Sequence, residues 1–290
     1  MTASEKKSFF GRAKGVKKNH TPKSLKSSSV QVQDINRLPV DVDWRSAGIV
    51  SPVKDQGHCG SCWAFASTAV VESAVAKASG LLFDLSVQQM TACAPNPDAC
   101  GGTGGCFGAT AEVAFDYVAT GGGLVEEYQY GYASYYGQNS DNCQMPASAP
   151  VARISGFVQL PQNNYTALMN AISTVGPVAI SVDASSWGAY ESGIFNGCNQ
   201  ANPDIDHVVA LVGYGTDNTQ DYWLVRNSWS PAWGEKGYIR VARTANEDEL
   251  CGTDNTPQNG IACAGDTAPE KVCGTCGIIF DSAYPVGATA

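Results

Sequence analysis

Apolar and polar positions divide the chain into a helical first half and a strand-forming second half. From Cys62 to Ser79 the run CWAFASTAVVESAVAKAS is dense in helix formers, and its apolar residues cover nearly every face until Gly80 offers a C-cap. That pattern predicts a buried, central helix. Two further helices are predicted, over Thr110 to Ala119 and over Tyr165 to Val175. After about residue 150 the texture changes to short runs of β-formers: Val178 to Asp183, His207 to Tyr214, Tyr222 to Asn227 and Gly237 to Arg243. Their spacing suits a small barrel or a strongly twisted antiparallel sheet. Helices first and strands afterwards make an α+β chain of two lobes. The glycine-rich stretches Gly101 to Gly105 and Gly121 to Gly123 fall between elements, and neither leads into the Gly-Lys-Ser/Thr of a phosphate loop. Lys14 to Gln33 has no apolar periodicity and reads as a linker or extended segment, so the folded body is expected to begin near Leu38.

Composition changes this picture mainly through the cysteines. A hydrophobic fraction of 43% in 290 residues is ample for a core. No run approaches the ~18 apolar residues that would span a bilayer, and Met1 to Phe10 lacks the apolar stretch of a secretion signal. The chain is therefore expected to be cytosolic or to lack its natural start. Eleven cysteines favour the second expectation, because cytosolic proteins rarely carry so many without a metal. The count is also odd: five disulfides would leave one free thiol, a candidate nucleophile. Zinc is the competing explanation, but Cys59 beside His58 and the Cys273-x-x-Cys276 pair have no matching pair at finger spacing, so no metal is expected.

Charge is distributed unevenly. Residues 1–37 hold nine Lys or Arg against Glu5 and Asp34, about +7, so the whole-chain −9 conceals a basic tail on an acidic body. The tail has no interleaved aromatics beyond Phe9 and Phe10 and no nucleic-acid-binding motif, which argues against a nucleic-acid partner.

A nucleophilic thiol needs its pKa lowered, by an imidazole neighbour or by the unpaired N–H groups of a helix N-terminus. Cys62 opens the predicted buried helix, and Gly60-Ser61 before it lets the backbone turn sharply. The competing reading is a structural half-cystine, like its neighbour Cys59. Only His20, His58 and His207 exist to serve as a base. His20 lies in the basic tail and His58 sits too close to Cys62 in sequence to be positioned independently. His207 begins the strand-like run HVVALVGYG, a rigid element of the kind a general base requires.

The string Gln56-Gly57-His58-Cys59-Gly60-Ser61-Cys62-Trp63-Ala64-Phe65, preceded by Val42-Asp43-Trp44-Arg45, resembles the papain family of cysteine peptidases. Further matches follow in order: Leu85 to Gln89, Ala114-Phe115, Gly176-Pro177-Val178, Asp206-His207 through Gly215, and Asn227-Ser228-Trp229 with Trp233-Gly234. The resemblance runs from Leu38 to Val286 and implies a papain-like two-lobed α+β fold. A helix-rich lobe of about 38–150 and a β-barrel-like lobe of about 151–290 would enclose the active-site cleft. It implies a cysteine endopeptidase without cofactor, in which Cys62 attacks the scissile carbonyl and His207 carries the proton. Asn227 would orient His207, Trp229 would shield that bond, Asp206 would support the site, and Gln56 would help hold the oxyanion. His207 and Asn227 lie 145 and 165 residues after Cys62. Alternatives are a silent papain-fold binding or storage protein, against which the intact Gln56, Cys62, His207 and Asn227 speak, and an exopeptidase, for which no histidine-bearing insertion is found.

The same resemblance implies disulfides Cys59–Cys106, Cys93–Cys143 and Cys198–Cys276. It leaves the pairing of Cys100, Cys251, Cys263 and Cys273 open, three of them in an insertion, 246–275, before a final strand at Cys276-Gly277-Ile278-Ile279. Substrate backbone would run along Gly108 and Ala109, the latter a departure from the family's glycine. The pocket for the second residue upstream of the scissile bond would be lined by Thr110, Ala111, Ser181, Ile205, Val208 and Asp281, accepting hydrophobic residues and, through Asp281, arginine. Residues 1–37 would be the end of a propeptide in a truncated precursor. Polypeptide substrates, that propeptide and cystatin-like inhibitors would be the partners, with neither nucleic acid nor membrane among them. A lysosomal, vacuolar or secreted location follows, with which the sequons Asn19-His20-Thr21 and Asn164-Tyr165-Thr166 are compatible.

Overall fold

The computed structural model describes residues 32–290, and Leu38 is its first core residue. The basic segment with His20 and the Asn19 sequon lies outside the described residues. The pair Val42–Asp43 forms β1, and the run from Cys62 to Ser79 forms the central helix α1. Every side chain from Cys62 to Ser73 is buried, as the absence of a polar face requires. α1 ends where Gly80 takes φ 79° and returns its N–H to Ala76 O. α2 (Val87–Cys93) is capped by Ser86 Oγ, and α3 (Ala111–Thr120) begins one residue after the predicted Thr110. Next come β2 (Gly156–Gln159) and α4 (Tyr165–Asn170), which passes into a single π-turn over Ala171–Val175.

The second half supplies β3 (Val178–Val182), β4 (Ile194–Phe195), β5 (His207–Asp217), β6 (Gln220–Arg226) and β7 (Tyr238–Ala242). The hairpin β8 (Cys251–Asp254) and β9 (Glu270–Cys273) follows, then β10 (Asp281–Val286). The main sheet runs β2-β10-β3-β5-β6-β7-β4, with β1 added to β5. Val42 lies so close to Gly213 that a Cβ there would meet Val42 O at 2.0 Å, so only glycine admits β1.

Alternate residues of β5 divide between two cores. Val208, Ala210 and Val212 face α1 and α3 with Phe115 and Phe157; Val209 and Leu211 face the opposite side with Leu168, Ile172, Trp187 and Trp223.

Two expectations require correction. Cys276 to Ile279 is not a strand: Thr275–Gly277 form a 3₁₀ turn with Gly274 and Gly277 at φ 83° and 73° and Cys276 at φ 58°, and the last strand begins at Asp281. Left-handed backbone at three of four residues cannot be pleated, whatever the apolar content of the following isoleucines. The insertion 246–275 is not merely a polar loop, since β8 and β9 pair within it and Cys251–Cys273 ties their open ends. The other open pair is Cys100–Cys263; the three bridges implied by resemblance are also formed, and Cys62 is the free cysteine.

Candidate active site

Cys62 stands at the first position of α1. Ser61 does not cap the helix; its hydroxyl instead meets Tyr132 Oη at 2.8 Å. Backbone N–H groups of Val208, Trp63 and Cys62 face the thiol and favour its ionised form, but burial outweighs them and pushes the thiol up to about 12. Cys62 is 3% exposed.

His207 opens β5. Its Nε2 lies 2.8 Å from Asn227 Oδ1, which also accepts the Ser228 N–H at 2.8 Å. Asn227 follows directly on β6, and its own N–H is tied to Gly237 O at 3.0 Å, so sheet geometry fixes the amide that meets the imidazole. Trp229 stacks on His207 with centroids 4.8 Å apart and planes 29° apart, while Trp187 presents its ring edgewise from 6.4 Å. Both indoles thus pack on the His207 ring, and His207 and Asn227 are themselves buried. In this dry setting burial lowers the imidazole to about 4, against the smaller opposing pull of Asn227. Burial thus disfavours either charge taken singly, the thiolate and the imidazolium alike.

Gln56 is fully buried. Its Nε2 donates to Cys59 O at 2.9 Å and its Oε1 accepts Ser228 Oγ–H at 2.6 Å, so the residue after Asn227 also positions Gln56. Sequence reasoning did not single out Ser228 for this part. Asp206 Oδ1 accepts the Ala184 N–H at 2.9 Å.

Strand register aligns three of the expected pocket residues. Asp281 pairs with Ser181, and Ser181 with Val208, across β10, β3 and β5, so the three side chains share one row on one face. Asp281 is buried, accepting Ser181 Oγ–H at 2.7 Å and Gln159 Nε2–H at 3.1 Å. Thr110 and Ala111 start α3 on the facing lobe, and the same turn carries Glu112, which the sequence did not mark. Glu112 is 7% exposed with Oε1 lacking a hydrogen-bond partner. Burial, and then the neighbouring Asp281, raise its carboxyl to about 8; burial raises Asp281 too. Both carboxyls line a cavity of about 260 Å³. Ala109 is buried, and its carbonyl is approached so closely by Gly101 that a Cβ on Gly101 would lie 3.0 Å from it. Ile205 is also present but covered, as developed below.

A family model described as papain family cysteine protease matches residues 38–261. A cathepsin L-like peptidase of Aedes aegypti is 38% identical over 84% of this chain and 72% of its own length. Procathepsin L of Rattus norvegicus is 42% identical over 72% of this chain, and the matched stretch covers 62% of the rat protein. Among solved structures, digestive procathepsin L 3 of the Tenebrio molitor larval midgut superposes with a TM-score of 0.71 at 33% identity, over 99% of this chain and 79% of that one. With the fold, the free thiol and the buried His207–Asn227 pair in agreement, these likenesses show that the chain belongs to the papain family of cysteine proteases.

Proposed function

We propose that the protein is a cysteine endopeptidase whose residues 38–290 form the peptidase domain and whose residues 1–37 are the end of a propeptide. The observation that carries this reading is the free Cys62 at a helix N-terminus together with an imidazole anchored through Nε2 at 2.8 Å. Anchoring through Nε2 leaves Nδ1 to take the thiol proton. The resulting thiolate and imidazolium form with no net change in charge, so the dry site tolerates the pair better than either ion alone. The thiolate attacks the scissile carbonyl, and the oxyanion is held by the Cys62 N–H and the Gln56 side-chain amide. The imidazolium then protonates the leaving amine, an acyl-enzyme remains, and water activated by the neutral His207 hydrolyses it. Trapping with a thiol-directed epoxide after acid incubation tests this: one adduct, on Cys62, with parallel loss of peptidase activity is expected. An adduct elsewhere, or activity that survives stoichiometric labelling of Cys62, would refute it.

The five disulfides support an oxidising route, lysosomal, vacuolar or secreted. For the second upstream residue we assign the Asp281–Ser181–Val208 row, Thr110 and Ala111 as pocket walls, with Glu112 as a second carboxyl. Raised carboxyls are uncharged in acid and ionise as pH climbs, so preference for arginine over phenylalanine at that position should increase from pH 4 to pH 7. In reducing buffer, Asp281→Ala should lower the ratio of kcat/KM for blocked Arg-Arg and Phe-Arg amides by about tenfold at pH 7 and flatten its pH dependence. An unchanged ratio would remove Asp281 from the pocket.

A further inference from the structure

The insertion does more than close a hairpin. Between β8 and β9 the chain leaves the β lobe, and Asp254 Oδ2 there accepts the Ile205 N–H at 3.2 Å. It turns over Pro257–Asn259, with the N–H groups of Ile261 and Ala262 both returning to Pro257 O. The segment then reaches the helical lobe, where three adjacent links hold it. Gly101 N–H donates to Ala262 O at 3.0 Å, Cys100 is bonded to Cys263, and Ala264 N–H donates to Asp98 O at 2.9 Å. Residues 256–264 are therefore a strap from one lobe to the other, latched by a disulfide between residues 163 apart in sequence.

The strap lies against both walls of the cleft. A Cβ on Gly260 would meet Ile205 O at 1.9 Å and Asp206 Cα at 3.0 Å. On the opposite side, the position of a Cβ on Gly101 is 2.9 Å from both Gly260 O and the Ala109 carbonyl carbon. Gly260 backbone thus fills the gap between Ala109 and Ile205-Asp206. Ile261, the next residue, packs with the buried Ile205, Val272 and Phe280 and lines the same cavity as Glu112 and Asp281. A substrate's second upstream residue would need its backbone between those walls and its side chain in that cavity. Gly260 holds the first place, and Ile261 forms one wall of the second.

We propose that residues 256–264 are a substrate-mimicking strap which, while Cys100–Cys263 is closed, limits the site to substrates with a single residue upstream of the scissile bond. This rests on the peptidase reading above and confines its endopeptidase cleavage to the state in which Cys100–Cys263 is open. The release step is thiol–disulfide exchange with an external dithiol. One thiolate attacks a sulfur of Cys100–Cys263, and Cys263 is only partly buried. The second thiolate then displaces the mixed disulfide. The protein gains two electrons and two protons as two thiols, and the dithiol leaves as its own disulfide. Gly260-Ile261 can then withdraw, opening the pocket to longer substrates.

The test uses the full chain after identical acid incubation and removal of reductant, as wild type, Cys100→Ser/Cys263→Ser and Gly260→Ala. Each is assayed on an unblocked arginine amide, with one upstream residue, and on a blocked Phe-Arg amide, with two. The double variant should raise kcat/KM for the blocked substrate at least about tenfold and change the arginine amide less than about twofold, a shift in their ratio of at least about fivefold, or about 1 kcal/mol in transition-state binding. Gly260→Ala keeps the disulfide but cannot sit against Ile205 O, so it should shift the ratio in the same direction. A dithiol should reproduce the change in the wild type and leave the double variant unaltered. Equal ratios in all three proteins, with Cys62 fully alkylated by iodoacetamide in each, would overturn the strap. No turnover by any protein on either substrate would instead overturn the peptidase reading, and the gate with it.

Discussion

With a dithiol present, Cys62→Ala should lower kcat/KM for a blocked dipeptide amide by at least about 10⁴-fold, because removal of a covalent nucleophile leaves only binding and oxyanion stabilisation. The fold should survive. Cys62 contributes one small buried side chain at the end of α1, and its loss should cost on the order of 1 kcal/mol, visible as a slight fall in the thermal midpoint with unchanged circular dichroism. Residual activity above a few per cent would sink the assignment of the nucleophile. Asn227→Ala sets the scale for comparison. Asn227 touches His207 Nε2 and no reacting atom, so its removal should cost less than the ~10²–10⁴ of a proton-transfer group and leave measurable turnover. A pH–rate profile separates orientation from structure, since an imidazole freed from Asn227 should show a displaced acid limb while the thermal midpoint stays near the wild type.

Much of this site was legible because its parts are local. The density of Ala and Val between Cys62 and Ser79, stopped by Gly80, states a buried helix without reference to any other segment, and an odd cysteine count leaves a thiol over. His207 at the start of HVVALVGYG was readable for the same reason, since the strand that holds it is specified by its own β-branched residues. What stayed hidden depends on long-range pairing. Glu112 looks like an ordinary first-turn helix residue, and only the register of β10 on β3 brings Asp281 against it. The strap was hidden more completely. Four unassigned cysteines permit three pairings, and only Cys100–Cys263 carries residues 256–264 across the cleft. The misplaced final strand has a different origin: Ile278 to Phe280 carry a strand's composition, while Gly274 to Gly277 impose a left-handed turn that composition does not weigh.

The largest loss of stability should come from Glu72, a residue with no part in the chemistry. It lies fully buried on α1, ten positions beyond Cys62 and so about 15 Å along the helix. Its Oε1 accepts Lys54 Nζ–H at 3.0 Å and the Leu85 N–H at 2.8 Å, and its Oε2 accepts the Ser51 hydroxyl. Ser51 Oγ in turn accepts Arg226 Nη1–H at 2.9 Å, which carries the network from α1 to β6 and so from one lobe to the other. Burial alone would lower the Lys54 ammonium, but Glu72 and Asp84 together hold it above its ordinary range. Glu72→Ala leaves Lys54 beside a cavity and strips partners from Ser51 and Leu85. Breaking one side of a buried ion pair typically costs about 3–5 kcal/mol, and with Asp84 still 2.6 Å from Lys54 Nζ the lower end applies, which for a domain of this size is a fall in melting temperature of roughly 10 °C. Lys54→Met/Glu72→Leu should recover most of that, because the desolvated charges disappear together and apolar volume replaces them. Calorimetry on the wild type, the single and the double variant measures both steps. If Glu72→Ala melts within about 2 °C of the wild type, the buried carboxylate is not what fastens α1 to the sheet. If the double variant is as unstable as the single, the loss arises from the Ser51–Arg226 branch, and Ser51→Ala should then reproduce it.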